Sequence, residues 1–234
     1  QIKTFPNYKL SIQSEIPIGG GLGSSAALSA ALAGALLTFL KLPNDKETIY
    51  EIAYVGEKFF HGNPSGGDLA AVVNGGFTYF RKEFEFLKTF SKLPFSVHKN
   101  IKQFYLVDSG KPVESTKELV SNVGKLKQEK SKMIEQIFDD QERLVKDMVM
   151  ALKDGNENEL IRTIRSGQRN LEKLGVVGEK AKSIILSIKK TDGAAKIMGG
   201  GGIKEGAGMI LVYFPIKPDK LEFELIPVTI QEEG

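Results

Sequence analysis

The sequence predicts an α+β protein folded in two lobes, and three observations predict it. At 234 residues the chain is long enough for a sizeable core shared between two lobes. Its first half sets a glycine-rich turn directly before a long helix of small and apolar residues that runs to Leu40. Its second half has a different texture, in which strand-like runs at 104–110 and 208–214 bracket amphipathic helices. Composition narrows the class. With 32 Lys and Arg against 29 Asp and Glu, the net charge of +3 leaves no footprint for nucleic acid. The absence of cysteine excludes disulfides and Cys-based metal sites, and two histidines far apart in the chain do not make a metal cluster. No apolar run is long enough for a membrane span and no signal peptide opens the chain, so a cytoplasmic enzyme is expected.

The elements follow in order. Tyr8-Lys9-Leu10-Ser11-Ile12 alternates apolar and polar residues as a strand does. Next comes Pro17-Ile18-Gly19-Gly20-Gly21-Leu22-Gly23-Ser24-Ser25-Ala26-Ala27, which leads into a helix over 26–40. Glycines allow positive φ and a close approach of backbone to ligand. The first turn of a helix adds unpaired N–H groups and the positive end of the dipole, so an anion fits there without a lysine. Ser24 and Ser25 are expected to cap the helix, and a hydroxyl in that position can also ligate Mg²⁺ beside bound phosphates. The plainer reading is a buried helix after a flexible turn, which four glycines within five positions and a double serine argue against.

Two familiar phosphate loops fail on residue identity. No lysine follows Gly23, as a Walker A loop requires, and Ser24 stands where a dinucleotide-binding turn needs its third glycine. The segment instead resembles the second motif of the GHMP kinases, Pro-x-x-x-Gly-Leu-Gly-Ser-Ser-Ala. That resemblance implies a nucleotide-binding role for Pro17, Gly19, Gly20, Gly21, Leu22, Gly23, Ser24 and Ser25.

Downstream, a helix carrying Ile52, Ala53, Val55 and Glu57 should end near His61-Gly62, because Gly62 and Pro64 oppose continuation. A histidine there serves the last helical carbonyls. The turn that follows presents Asp68 ahead of the apolar run 69–73, with a strand over 77–80 beyond. Two carboxylates, Glu57 and Asp68, can then share the work of holding a metal and acting on a substrate proton, although a surface glutamate and a capping aspartate account for the same spacing. His61-Gly62-Asn63-Pro64-Ser65-Gly66-Gly67-Asp68 resembles the His-Gly-x-Pro-Ser-Gly-x-Asp of mevalonate kinases within that family. The resemblance implies Ser25 and Glu57 as Mg²⁺ ligands, Asp68 as the catalytic carboxylate facing the substrate hydroxyl, and Ser65 and Gly66 beside the substrate. Residues 69–76 are nearer to the pattern of phosphomevalonate kinases.

In the second half, Phe104-Tyr105-Leu106-Val107-Asp108-Ser109-Gly110 reads as a strand ending in a turn, and Ser115-Thr116-Lys117-Glu118 opens a helix. Apolar residues from Leu119 to Leu152 recur at helical steps, with a break expected near Asp139-Asp140, and this stripe reads as core. Thr116 either caps a helix or, as the resemblance implies, borders the active site. The run 168–176 resembles a helix end of mevalonate kinases, and a further helix is expected over 179–190. Gly199-Gly200-Gly201-Gly202 before the strand at 208–214 resembles the third family motif, which packs against phosphate loop and substrate and places Gly199 and Gly200 in the site. Ile203-Lys204-Glu205 is inserted relative to that motif. The cations near the three motifs are Lys58, Lys111, Lys196 and Lys204.

The resemblance covers almost the whole chain, three motifs in order, except that nothing before residue 17 resembles the family's first motif. It implies a two-lobed GHMP kinase fold: an incomplete ribosomal-protein-like N-terminal lobe over 1–98 and a ferredoxin-like C-terminal lobe over 99–234. The implied activity is ATP- and Mg²⁺-dependent phosphorylation of the primary hydroxyl of mevalonate, a small-molecule alcohol, with no nucleic-acid or membrane partner and with room for a homodimer. Phosphomevalonate kinase is the alternative within the class, and a non-catalytic sensor on the same fold is the alternative outside it.

Overall fold

A computed structural model provides the fold and describes residues 7–61 and 64–228. Three helices open it: α1 (Ser24–Phe39), α2 (Lys46–His61) and α3 (Gly67–Asn74). Alanines on one face of α1, at 26, 30 and 33, let α2 and α3 approach closely, and Tyr50, Ala53, Tyr54, Leu69, Ala70 and Val73 complete a shared core. Asp45 starts α2, its carboxylate accepting the Thr48 amide at 3.0 Å and the Thr48 hydroxyl at 2.8 Å. A hairpin of β1 (Thr78–Phe84) and β2 (Leu87–Lys92) follows.

The rest is a four-stranded sheet with helices against it. β3 (Phe104–Asp108) leads to α4 (Thr116–Glu129), α5 (Ser131–Asp154), α6 (Glu157–Lys173) and α7 (Glu179–Lys190), and then come β4 (Ala194–Ile197), β5 (Met209–Tyr213) and the short β6 (Ile226–Pro227). Every neighbouring pair is antiparallel, in the order β4-β5-β3-β6. Counted within this sheet, the order is second, third, first, fourth, which is that of a ferredoxin-like split βαβ arrangement. All four helices of this half lie between β3 and β4, and no helix separates β5 from β6. Side chains alternate across β5, with Ile210 and Val212 joining Ala181, Ile185 and Ile188 of α7 in one cluster. Leu211 and Tyr213 join the other, with Ala151 and Leu152 of α5 and Leu160 and Ile164 of α6.

Helix punctuation follows the residues. Ser115 and Glu118 form a reciprocal capping box on α4, Gly155 ends α5 with φ 70°, and Asn156 caps α6 through the Glu159 amide at 3.1 Å. Three expectations need correction. Residues 8–12 are exposed and pair with no strand among the described residues, because alternation yields a strand only where a partner edge is available. Ser24 and Ser25 do not cap α1; Gly23 holds the cap position in the left-handed region, and the serines lie inside the first turn. The helical break falls at Lys130 and not at Asp139-Asp140, since α5 runs unbroken through both aspartates, and Asp140 accepts the Asn170 amide from α6 at 2.9 Å. Among the described residues no helix is long and apolar enough to cross a membrane.

Candidate active site

The glycine turn works because its backbone bends the way only glycine does comfortably. Gly19, Gly21 and Gly23 have φ of 77°, 75° and 68°, and the Gly23 carbonyl receives the first helical bond from Ala27 at 2.9 Å. With glycine at the cap there is no side-chain acceptor for the first-turn amides of α1. Those amides and the positive end of the helix dipole therefore face the turn, an arrangement suited to an anion. The Pro17 carbonyl closes the turn by accepting the Gly20 amide at 3.4 Å, and Leu22 and Ser24 are half-buried beside it.

The second glycine run braces the first from behind. A Cβ on Gly21 would stand 2.8 Å from the Met198 carbonyl oxygen, and one on Gly199 would stand 2.7 Å from Gly21 Cα. The Gly20 carbonyl accepts the Met209 amide at 2.8 Å, tying the turn to β5. Thr116 then stacks onto Gly200, its Oγ1 3.6 Å from where a Cβ there would begin. Ser115, not Thr116, supplies the cap of α4, which leaves the Thr116 side chain facing the glycine run.

Two acids lie at the other side of the turn. Glu57 is buried, and its Oε1 accepts the hydroxyls of Ser25 at 2.7 Å and Ser29 at 2.8 Å. Ser29, one helical turn beyond Ser25 and on the same face, escapes the motif reading; the i, i+4 serine spacing is the signal that marks it. Asp68 stands in the first turn of α3 with its Cβ 3.5 Å from the Cβ position of Gly23. Asp68 as a residue is exposed, and partial desolvation of its carboxyl first, with the Glu57 charge second, holds it above the ordinary carboxylate range. The sequence pair thus converges on one place, beside the N-terminus of α1.

The turn before α3 is held from α2. The Tyr54 hydroxyl donates to the Pro64 carbonyl at 3.1 Å, Tyr50 donates to the Gly66 carbonyl at 3.4 Å, and Ser65 Oγ accepts the Gly67 amide at 3.1 Å. Ser65 and Gly66 therefore shape the approach to Asp68. Gly62, Asn63 and the His61 side chain lie outside the described residues.

Of the four cations near the motifs, Lys58 pairs with Glu85 at 3.1 Å, and Lys196 donates to the Ile197 carbonyl at 2.9 Å, with burial pushing its ammonium below the ordinary lysine value. The Lys204 amide donates to Glu114 at 3.2 Å. Lys111 lays its stem along Gly19. No three His, Cys, Asp or Glu side chains among the described residues cluster as a self-contained metal site. One buried carboxylate with a serine hydroxyl suits Mg²⁺, which takes one or two carboxylates and completes its shell with phosphate oxygens and water.

Residues 1–76 match the family model described as the GHMP kinases N terminal domain. Mevalonate kinase of Pyrococcus abyssi is 36% identical over 203 residues, covering 82% of this chain and 56% of its own length. A crystal structure of L. major mevalonate kinase in complex with R-mevalonate superposes with a TM-score of 0.69 at 25% identity, over 82% of this chain and 56% of that one. Streptococcus pneumoniae phosphomevalonate kinase, in complex with phosphomevalonate and AMPPNP, shares the fold at a TM-score of 0.68 and 19% identity, over 83% of this chain and 62% of that one. The chain thus spans little more than half the length of the Pyrococcus abyssi enzyme.

Proposed function

The chain belongs to the GHMP kinase superfamily, and from that premise we propose that it takes part in transferring the γ-phosphoryl group of ATP to the primary hydroxyl of mevalonate. The observation that carries the reading is the nearness of Asp68 to Gly23, whose Cβ position lies 3.5 Å from Asp68 Cβ, so that a carboxylate of raised proton affinity stands beside the helix end suited to phosphate. Phosphoryl transfer asks a protein for positioning and charge stabilisation. Gly19, Gly20, Gly21, Gly23 and Ser24 would cradle the phosphates with backbone amides, and Pro17 and Leu22 hold the shape of that cradle. Ser25 and Glu57 would hold Mg²⁺, with Ser29 orienting the carboxylate; the ion would neutralise phosphate charge. Asp68 orients the acceptor hydroxyl and receives its proton. Ser65, Gly66, Thr116, Gly199 and Gly200 form the walls against which the acceptor lies.

Mevalonate is favoured over phosphomevalonate because the curated relatives bear the former name and the phosphomevalonate kinase likeness extends only to the fold. A division into lobes at 98/99 and a cytoplasmic location belong to the same proposal. The discriminating experiment is a coupled assay with ATP-Mg²⁺ and each acceptor in turn. Mevalonate is expected to give the higher kcat/KM; a value at least tenfold higher for phosphomevalonate overturns the acceptor, and no turnover with either overturns the reaction.

A further inference from the structure

The glycine turn carries no lysine of its own, yet a lysine from another element lies on it. Lys111 follows the end of β3, and its Cε stands 3.0 Å, and its Cδ 3.7 Å, from the point where a side chain on Gly19 would begin. Gly19 opens the run of positive-φ glycines, so the stem crosses the very start of the phosphate cradle. The residue is exposed, and its ammonium forms no ion pair among the described residues. Of the other cations near the motifs, the Lys58 ammonium is paired with Glu85 and the Lys196 ammonium donates to the Ile197 carbonyl, and Lys204 is tied through its backbone amide to Glu114.

The backbone that carries Lys111 is pinned on both sides. Before it, Ser109 Oγ donates to the Gly208 carbonyl at 2.7 Å and accepts the Ala207 amide at 2.9 Å, and the Gly110 carbonyl accepts the Gly208 amide at 2.9 Å. After it, the Glu114 carboxylate accepts the amides of Ile203 and Lys204, both at 3.2 Å. Because the backbone is already fixed, a contact with an anion here costs the rotamer freedom of the lysine side chain without the added cost of ordering the loop, which makes it more favourable than one from a mobile loop.

We propose that Lys111 is a nucleotide-binding residue, its ammonium meeting the phosphate chain of the nucleotide held at Gly19 to Ser24 and supplying, from the end of β3, the cation that the glycine turn lacks. The proposal rests on the phosphate-loop reading above. Its chemistry is a charge-assisted hydrogen bond from –NH₃⁺ to a phosphate oxygen.

Calorimetric titration of the protein with Mg²⁺ and AMPPNP, and separately with adenosine, tests it. Lys111→Met keeps the stem over Gly19 and removes the charge. It should weaken AMPPNP binding by about tenfold to a hundredfold, the usual worth of a hydrogen bond to a charged group, while leaving adenosine within about twofold. Lys111→Arg should stay within about threefold of the parent for both. A Met variant that binds AMPPNP like the parent, or that loses both ligands equally, overturns the assignment, as does one whose only defect is a raised KM for the acceptor. A parent that binds adenosine as tightly as AMPPNP overturns the phosphate loop itself, and that result is visible before any variant is made.

Discussion

Asp68 combines two demands that conflict. In the proposed role it must be ionised to take a proton, yet partial desolvation and the neighbouring Glu57 charge both favour its neutral form. Asp68→Asn should lower kcat by about 10²- to 10⁴-fold, the range of a positioned base, with little change in nucleotide affinity. The same substitution should stabilise the protein free of ligand and metal at neutral pH. The sign follows from proton binding: with the folded-state pKa above the unfolded one, the native state binds more protons between the two values, so stability falls as pH rises through that window and stays lower above it. Asparagine removes that penalty at pH 7 and gains nothing below the ordinary aspartate range. Thermal melts at both pH values, read beside kcat, check the pair of effects. A variant with near-normal kcat, or one that melts below the parent at pH 7, removes Asp68 from this role.

At the scale of elements, the informative case is the join between the loop after β3 and the glycine-rich loop before β5. Ile203-Lys204-Glu205, which the resemblance reads as an insertion in the glycine motif, is tied down where Glu114 receives the successive amides of Ile203 and Lys204. Those bonds, the Ile203 amide foremost, hold the Glu114 carboxyl below the ordinary glutamate range. Glu114→Ala should therefore loosen residues 199–208 and raise the KM for ATP-Mg²⁺ about threefold to tenfold, consistent with losing one or two surface hydrogen bonds, with kcat changed less. Hydrogen exchange at the amides of 203 and 204 should quicken in step; unchanged exchange there would falsify the latch. Such a tertiary latch is invisible in a linear reading, whereas elements with local signals were legible. Ser115 with Glu118, the glycine before α1, and the helix over 179–190 all announce themselves by caps and periodicity. The β1–β2 hairpin does not, because its two-residue turn, Glu85-Phe86, contains none of the Gly, Asn or Asp that mark tight turns. The break at Lys130 is equally silent, since exposed aspartates such as Asp139 continue a helix as readily as they end one. In the candidate site, Asp68, Glu57 and Ser25 are picked out by their resemblance to the family motifs, and the structure brings the three together beside α1. Ser29 carries only the i, i+4 spacing from Ser25 as a signal until the packing of α1 on α2 places it on Glu57, and the seat of Lys111 requires the packing of the loop after β3 on Gly19.

The whole molecule holds its site at a seam. One core lies among α1, α2 and α3, and two others lie on either side of the four-stranded sheet; the first glycine turn belongs to the first and is braced by the second glycine run, which belongs to the sheet. Backbone meets backbone there, so nothing larger than hydrogen fits at either glycine. A methyl group on Gly199 would come 2.7 Å from Gly21 Cα, at a residue whose φ of 63° already disfavours a side chain. Relief must move the two halves apart, which displaces the amides that would hold phosphate. Gly199→Ala should cost about 2–4 kcal/mol, joining left-handed strain to overpacking, and should raise the KM for ATP-Mg²⁺ by tenfold or more. Gly124→Ala is the control: this glycine sits mid-helix in α4 with no atom within 4 Å of a Cβ. There alanine should add about 0.5–1 kcal/mol through helix propensity and leave KM unchanged. Denaturant unfolding and steady-state kinetics on the two variants separate the cases. Equal stability of Gly199→Ala and the parent, or an unaltered KM in that variant, would mean that the two glycine runs do not act as one structural unit.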